Sequence, residues 1–237
     1  MIFEGALSTK AILEQKKRTI KKVYIQNKKR SKNISYILHL CHKDHVKFEF
    51  VDKEVIESLS SGKSHGGILI DADNRSSEPL CLNHDFYLYL EGIEDPYNLG
   101  QIIRTAVIAG CKSIIMSERD YSSLENTILK SSAGLFEQIN WVITDAKASN
   151  LVQLKQEGIK LVVAKRDENS KSLNQIDLTQ PICLCIGGEK RGLSKIVEEM
   201  ADESVEIRYP TETRVALDAT SSSAILCFEV VRQRMES

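Results

Sequence analysis

Asn98 and Arg104 are the residues of this chain whose type and setting most invite chemistry. They lie in the stretch Asp95-Pro96-Tyr97-Asn98-Leu99-Gly100-Gln101-Ile102-Ile103-Arg104-Thr105-Ala106. The run Phe86-Tyr87-Leu88-Tyr89-Leu90 before it reads as a buried strand, and Leu99, Ile102, Ile103, Ala106 and Val107 repeat at helical spacing. Asp95 and Asn98 suit an N-cap and Pro96 a helix start. Such a strand–turn–helix joint presents polar groups at the carboxyl end of a strand, where open α/β sheets bind ligands. Helix formation does not require Asn98 or Arg104. Taken alone, the segment is equally a ligand-facing turn or an ordinary capped helix with a solvated arginine.

Two later segments add to it. Ile186-Gly187-Gly188-Glu189-Lys190-Arg191-Gly192-Leu193-Ser194 follows the apolar run Ile182-Cys183-Leu184-Cys185. It has neither the G-x-G-x-x-G spacing of dinucleotide sites nor a Walker lysine. Its glycines leave backbone N–H and C=O groups open to a flat ligand. Further on, Val205-Glu206-Ile207-Arg208-Tyr209-Pro210 precedes Ala216-Leu217-Asp218-Ala219-Thr220, which heads a long C-terminal helical pattern.

The elements that must position these residues read as a C-terminal α/β domain over 86–237. Strand-like runs at 86–90, 112–116, 139–143, 159–164, 182–186 and 204–207 alternate with helical patterns, which predicts a parallel sheet covered on both faces. Residues 73–85 are turn-rich and aperiodic, a linker. Residues 1–72 predict a small α/β sandwich: helices at 6–17, 33–42 and 53–60 alternate with strands at 20–25, 46–51 and 67–70. At 237 residues, two domains are expected.

The net charge of −1 conceals an asymmetry: residues 1–33 hold ten Lys or Arg against Glu4 and Glu14, a local charge of +8. A basic end on a mildly acidic chain is the electrostatic signature of phosphate-backbone binding, and equally describes a solvated surface. Lys16, Lys17, Arg18 and Lys21 are its candidate nucleic-acid contacts. No apolar run approaches a membrane span, and no secretory start is evident. The six cysteines lack CxxC spacing and sit in apolar contexts, which predicts reduced thiols, no metal site and a cytoplasmic protein.

In order and spacing, the three segments resemble the motifs of the SpoU/TrmH-type (SPOUT) RNA 2′-O-ribose methyltransferases. The likeness covers about the last 150 residues. The first 80 are similar to the ribosomal-protein-like substrate-binding domain of several members, including Ser64-His65-Gly66-Gly67, similar to a His-Gln-Gly signature, with His65 a candidate RNA contact. The resemblance implies a deep trefoil knot, a homodimer, and S-adenosylmethionine held by Gly187, Gly188, Gly192, Ile207 and Leu217, with Tyr209 an alternative to Ile207. It implies methylation of a ribose 2′-hydroxyl in ribosomal or transfer RNA, the former favoured.

Arg104 then activates the hydroxyl or, since arginine stays protonated, holds phosphate and stabilises the developing alkoxide. Asn98 organises its loop, Glu189 fixes the cofactor loop or a dimer interface, and Ser131 lies near the RNA. The third motif departs from the family's Ser-Leu-Asn-x-Ser. Asp218 replaces the Asn, and this predicts either a carboxylate base for the 2′-hydroxyl, a tolerated variant, or a non-catalytic RNA-binding paralogue. Residues 217–234 carry an apolar stripe (Leu217, Ala224, Ile225, Phe228, Val231) that suits a partner subunit or the core.

Overall fold

The computed structural model describes residues 1–213 and 215–236, which form two compact units. The first comprises Met1–Ser76 with Tyr121–Gln138, the second Ser77–Asp120 with Ile139–Ser237.

The first unit contains β1 (Ile2–Glu4), α1 (Ala6–Gln15), β2 (Ile20–Gln26), α2 (Lys32–Lys43), β3 (Phe48–Val51), α3 (Lys53–Leu59) and β4 (Ile68–Ala72). Its sheet runs β1-β4-β2-β3, with β2–β3 parallel and β4 antiparallel to both β1 and β2. The predicted helices and strands all appear; β1 is additional. Three residues are too few to show an alternation, and Glu4 argues against a buried strand. Its carboxylate is satisfied by the Ser61 backbone N–H at 2.7 Å and Lys130 at 2.9 Å. These hydrogen bonds outweigh the burial that would raise its pKa, and hold it down at about 2.

The segment 121–138, which sequence order groups with the C-terminal strands, packs into the first unit as helix α5 (Glu125–Ser131) and a 3₁₀ turn (Leu135–Gln138). Two features hold it. Gly134 sits against α1 so closely that a Cβ would lie 2.8 Å from that of Ala11. Glu125 and Glu137 close on Arg18, whose side chain is wholly buried and whose guanidinium stands 4.4 Å from the Phe3 ring centroid.

The second unit contains β5 (Phe86–Glu91), α4 (Pro96–Ile108), β6 (Ser113–Ser117), β7 (Asn140–Thr144), α6 (Ser149–Gln156), β8 (Lys160–Ala164), β9 (Lys171–Ser172), β10 (Ile182–Gly187), α7 (Lys195–Met200), β11 (Glu203–Glu206) and α8 (Ala219–Glu236). The seven strands run β7-β6-β5-β10-β8-β11-β9, and every pairing is parallel. The six predicted strands are all present; β9, two residues at the sheet edge, is too short to be read. β5 and β10 are buried for their first five residues, as the apolar runs require when helices cover both faces. They pair in register from Phe86↔Ile182 to Glu91↔Gly187, so their carboxyl ends open side by side. Among the described residues no helix is long and apolar enough to cross a membrane.

Candidate active site

The turns leaving β5 and β10 meet backbone to backbone. Gly188 donates its N–H to Glu91 O at 2.7 Å and accepts from Gly192 N at 2.9 Å, closing the 188–192 loop on itself. A Cβ on Gly188 would lie 2.1 Å from Gly92 O, and one on Gly187 2.2 Å from the Gly192 carbonyl carbon. Neither turn tolerates a side chain there. The Glu91 carboxylate accepts from Ser194 N–H at 2.8 Å, fixing the exit of the loop. Sequence reading passed over Glu91; its only signal is a carboxylate ending a buried apolar strand.

Beside this contact lies a cavity of about 230 Å³, lined by Gly187, Gly188, Gly192, Ile207 and Leu217 together with Tyr209. All five residues assigned to the cofactor are thereby brought together, from three segments up to 30 residues apart. Ile186, Val205 and Leu226 supply an apolar floor, and Lys165 and Arg166 reach the lining without having been anticipated. Lys165 is held by Asp167 at 2.6 Å, and the Arg166 guanidinium stands 5.1 Å from the Tyr209 ring centroid. The Tyr209 hydroxyl accepts from Leu217 N–H at 2.9 Å, so Tyr209 joins Ile207 in the lining and also pins the loop that carries Leu217.

A second cavity of about 270 Å³ shares Gly188, Glu189 and Ala219 with the first and is lined by Asn98, Glu94 and Lys190. Asp95 caps α4 through Tyr97 N–H at 2.7 Å, with Pro96 in its first turn, and this places Asn98 at the opening. Glu94 and Lys190 pair at 2.6 Å, and the lysine's hydrogen bond holds the Glu94 carboxyl below its ordinary range. Glu189 Oε1 accepts from Ala219 N–H at 3.4 Å, a long contact to the start of α8.

Arg104 is not in either lining. It lies six residues beyond Asn98 on α4, roughly 9 Å along the axis and turned well away around it. Its guanidinium is exposed and has no internal partner among the described residues.

Asp218 is exposed and engaged in a helix cap. It precedes α8 and caps it: Oδ1 accepts from Ser221 N–H at 2.6 Å and Oδ2 from the Ser221 hydroxyl at 3.0 Å. The Ser221 N–H, above all, holds its carboxyl below the ordinary range, whereas a base for a ribose hydroxyl needs a raised pKa. We expect Asp218→Asn, which can also cap, to retain methyl transfer within about twofold, checked by initial rates. Asp218→Ala should lose about 1 kcal/mol of stability in urea unfolding. Because the folded-state pKa is depressed, that loss should be full above about pH 4 and fade as the pH falls through the depressed value.

The basic residues divide. Arg18 is corrected outright: with 0% side-chain exposure it pairs with Glu137 at 2.7 Å and with Glu125, and cannot meet RNA. Lys16 and Lys21 are exposed but pair with Asp44 at 2.5 Å and Asp73 at 2.9 Å; Lys17 is half-buried. The Ser131 hydroxyl donates back to Thr127 O at 2.8 Å within α5. Among the described residues no cluster of His, Cys, Asp and Glu could hold a metal ion.

Comparison with known proteins agrees with this geometry. Residues 85–228 match the SpoU rRNA Methylase family, and residues 4–77 match RNA 2′-O ribose methyltransferase substrate binding. The chain is similar to the 23S rRNA (guanosine-2′-O-)-methyltransferase RlmB of Ralstonia nicotianae, 27% identical over 97% of this chain and 94% of that one. It is 26% identical to RlmB of Escherichia coli (strain K12), over 97% of each chain. The solved structure of the SpoU methyltransferase AviRb from Streptomyces viridochromogenes, in complex with AdoMet, superposes with a TM-score of 0.83 at 19% identity, over 100% of this chain and 91% of that one. The chain thus belongs to the SpoU rRNA methylase family and is an RNA 2′-O-ribose methyltransferase.

Proposed function

We propose that the protein methylates a ribose 2′-hydroxyl in ribosomal RNA, with S-adenosylmethionine as donor. The observation that carries this reading is the cavity where the 187–192, 205–209 and 216–219 segments converge, with Gly187, Gly188 and Gly192 in its lining. Its apolar floor suits a nucleoside. S-adenosylmethionine supplies an already electrophilic methyl group, so the protein's task is to align the 2′-oxygen and stabilise its charge. Asn98, which lines the adjoining cavity, is the residue this reading assigns to orienting the ribose. Arg104, with no internal partner among the described residues, is available to an RNA phosphate or the developing alkoxide. Ribosomal RNA is favoured over transfer RNA by the likeness to the two RlmB proteins, both 23S rRNA methyltransferases.

The same reading takes the chain around 187–192, 205–209 and 216–219 as the knotted part, and the protein as a cytoplasmic homodimer. In support of the dimer, α8 turns Ala219, Leu226, Cys227 and Val230 inward and leaves Ile225 and Phe228 exposed, with Ile108 of α4 60% exposed.

The test is tritium transfer from labelled S-adenosylmethionine to RNA of a strain lacking the protein, followed by mapping of the labelled nucleotide. Label in ribosomal RNA at a ribose is expected; label confined to transfer RNA or to a base would overturn the assignment. Arg104→Ala should lower turnover by about 10²-fold while the cofactor Kd stays within a few-fold. Parallel loss of cofactor affinity in calorimetry would remove Arg104 from the nucleophile's side.

A further inference from the structure

The main-chain donors around the cavity beside Gly187 are already in use. Gly188 N–H donates to Glu91 O at 2.7 Å and Gly192 N–H to Gly188 O at 2.9 Å. Leu217 N–H donates to the Tyr209 hydroxyl at 2.9 Å, and Ala219 N–H to Glu189 Oε1 at 3.4 Å. S-adenosylmethionine carries two cationic groups, the sulfonium and the α-ammonium, and one anion, the α-carboxylate. A carboxylate leaving water needs a donor or a counter-charge. These four N–H groups are not free to supply it, which turns the question to side chains.

The charged side chains of the lining are Lys165, Arg166, Glu189 and Glu206. Lys165 is held between Asp167 at 2.6 Å and Glu198 at 3.4 Å, and Glu206 is paired with Arg208 at 2.9 Å. Glu189 has the wrong sign. Arg166 is left, exposed and with no carboxylate partner among the described residues. It makes one long donation, from Nη1 to Thr213 O at 3.4 Å, and its guanidinium lies over the Tyr209 ring, 5.1 Å from the centroid. A cation–π contact consumes none of the guanidinium's N–H donors. Their planar fork fits a carboxylate bidentately, where an ammonium offers only a point charge. The Tyr209 ring is itself tied to Leu217 through its hydroxyl, so the platform under Arg166 belongs to the same cavity wall.

We infer that Arg166 is the counter-ion of the cofactor's α-carboxylate, with Tyr209 as the platform that keeps its guanidinium at the cavity. The inference rests on this cavity holding S-adenosylmethionine, and it adds the residue that recognises the amino-acid end of that ligand. Because Arg166 is exposed, solvent and salt screen the pair, and its expected contribution is about fivefold in affinity.

Calorimetric titration of the full chain with S-adenosylmethionine, S-adenosylhomocysteine and decarboxylated S-adenosylmethionine tests it, with urea unfolding beside it to show that each variant folds. Arg166→Gln is expected to lose about fivefold in affinity for the first two ligands, which both keep the carboxylate. It should bind the decarboxylated ligand at least as tightly as wild type, since only a repulsion between like charges is removed. Arg166→Lys, which keeps the charge without the fork, should recover part of the loss. An equal loss toward all three ligands would make Arg166 a support for the Tyr209 segment and overturn the inference. Unchanged affinity for all three, with a raised KM for RNA, would assign the guanidinium to a phosphate and overturn it as well. Either result leaves the methyltransferase reading standing, whereas a wild-type protein that binds neither S-adenosylmethionine nor S-adenosylhomocysteine would overturn that reading too.

Discussion

Gly188→Ala should abolish measurable S-adenosylmethionine binding, and Gly192→Ala should not. Both glycines lie in the same five-residue loop, so the contrast isolates one cause. At Gly188 the added carbon would sit 2.1 Å from Gly92 O and 2.7 Å from Gly92 C, both of them backbone. No rotamer change relieves such a contact. The β5 and β10 turns would have to part, breaking the Gly188 N–H bond to Glu91 O and opening the wall that the two cavities share. At Gly192 a Cβ meets nothing within 4 Å; the substitution costs only the strain of φ +65°, about 1 kcal/mol. Calorimetric titration with the cofactor checks both. Wild-type affinity in Gly188→Ala would mean that the loop is pliable and that the close approach is incidental to the site.

That contrast also marks how far the sequence could be read. Gly187 and Gly188 were legible as a glycine turn after a strand, a feature that most often merely connects elements and that gained meaning only beside the other two segments. Which backbone Gly188 approaches was not legible, since Gly92 lies 96 positions earlier and nothing local announces the pairing. The parallel strands were legible for a related reason: runs buried on both faces, such as Phe86–Leu90 and Ile182–Ile186, leave no periodicity to confuse and are bounded by turns. Asp218 shows the opposite case. As a residue type it suits a proton acceptor, and only the Ser221 N–H at 2.6 Å reveals a helix cap. Arg166 and Lys165 entered the lining of the cavity beside Gly187 unannounced, because a charged pair after β8 looks like any solvated loop.

Arg18 was the furthest from legible, and it carries the second large prediction. In sequence it is one of ten cations in a basic end; in the structure it is a fully buried counter-charge. Its Nε and Nη2 donate to Glu137 Oε1 at 2.9 and 2.7 Å and its Nη1 donates to Glu125, whose Oε2 also accepts from Arg75 N–H at 2.9 Å. Burial pushes the Glu125 carboxyl up despite the guanidinium beside it. Arg18→Ala therefore leaves two buried carboxylates without their cation and should cost about 3–5 kcal/mol at pH 7 in urea unfolding. A carboxyl whose folded-state pKa is raised contributes its stability below the unfolded value and loses it as the pH rises through the folded one. Removing the guanidinium raises Glu125 further, so the cost of Arg18→Ala should shrink between pH 7 and pH 5 as the proton is taken up. Combining Arg18→Met with Glu125→Leu and Glu137→Leu should restore most of the loss, because an apolar cluster needs no counter-charge. A penalty below about 1 kcal/mol that does not change with pH would show that water or a shifted backbone compensates the carboxylates. The cluster would then not be what ties the 121–138 segment to the first unit.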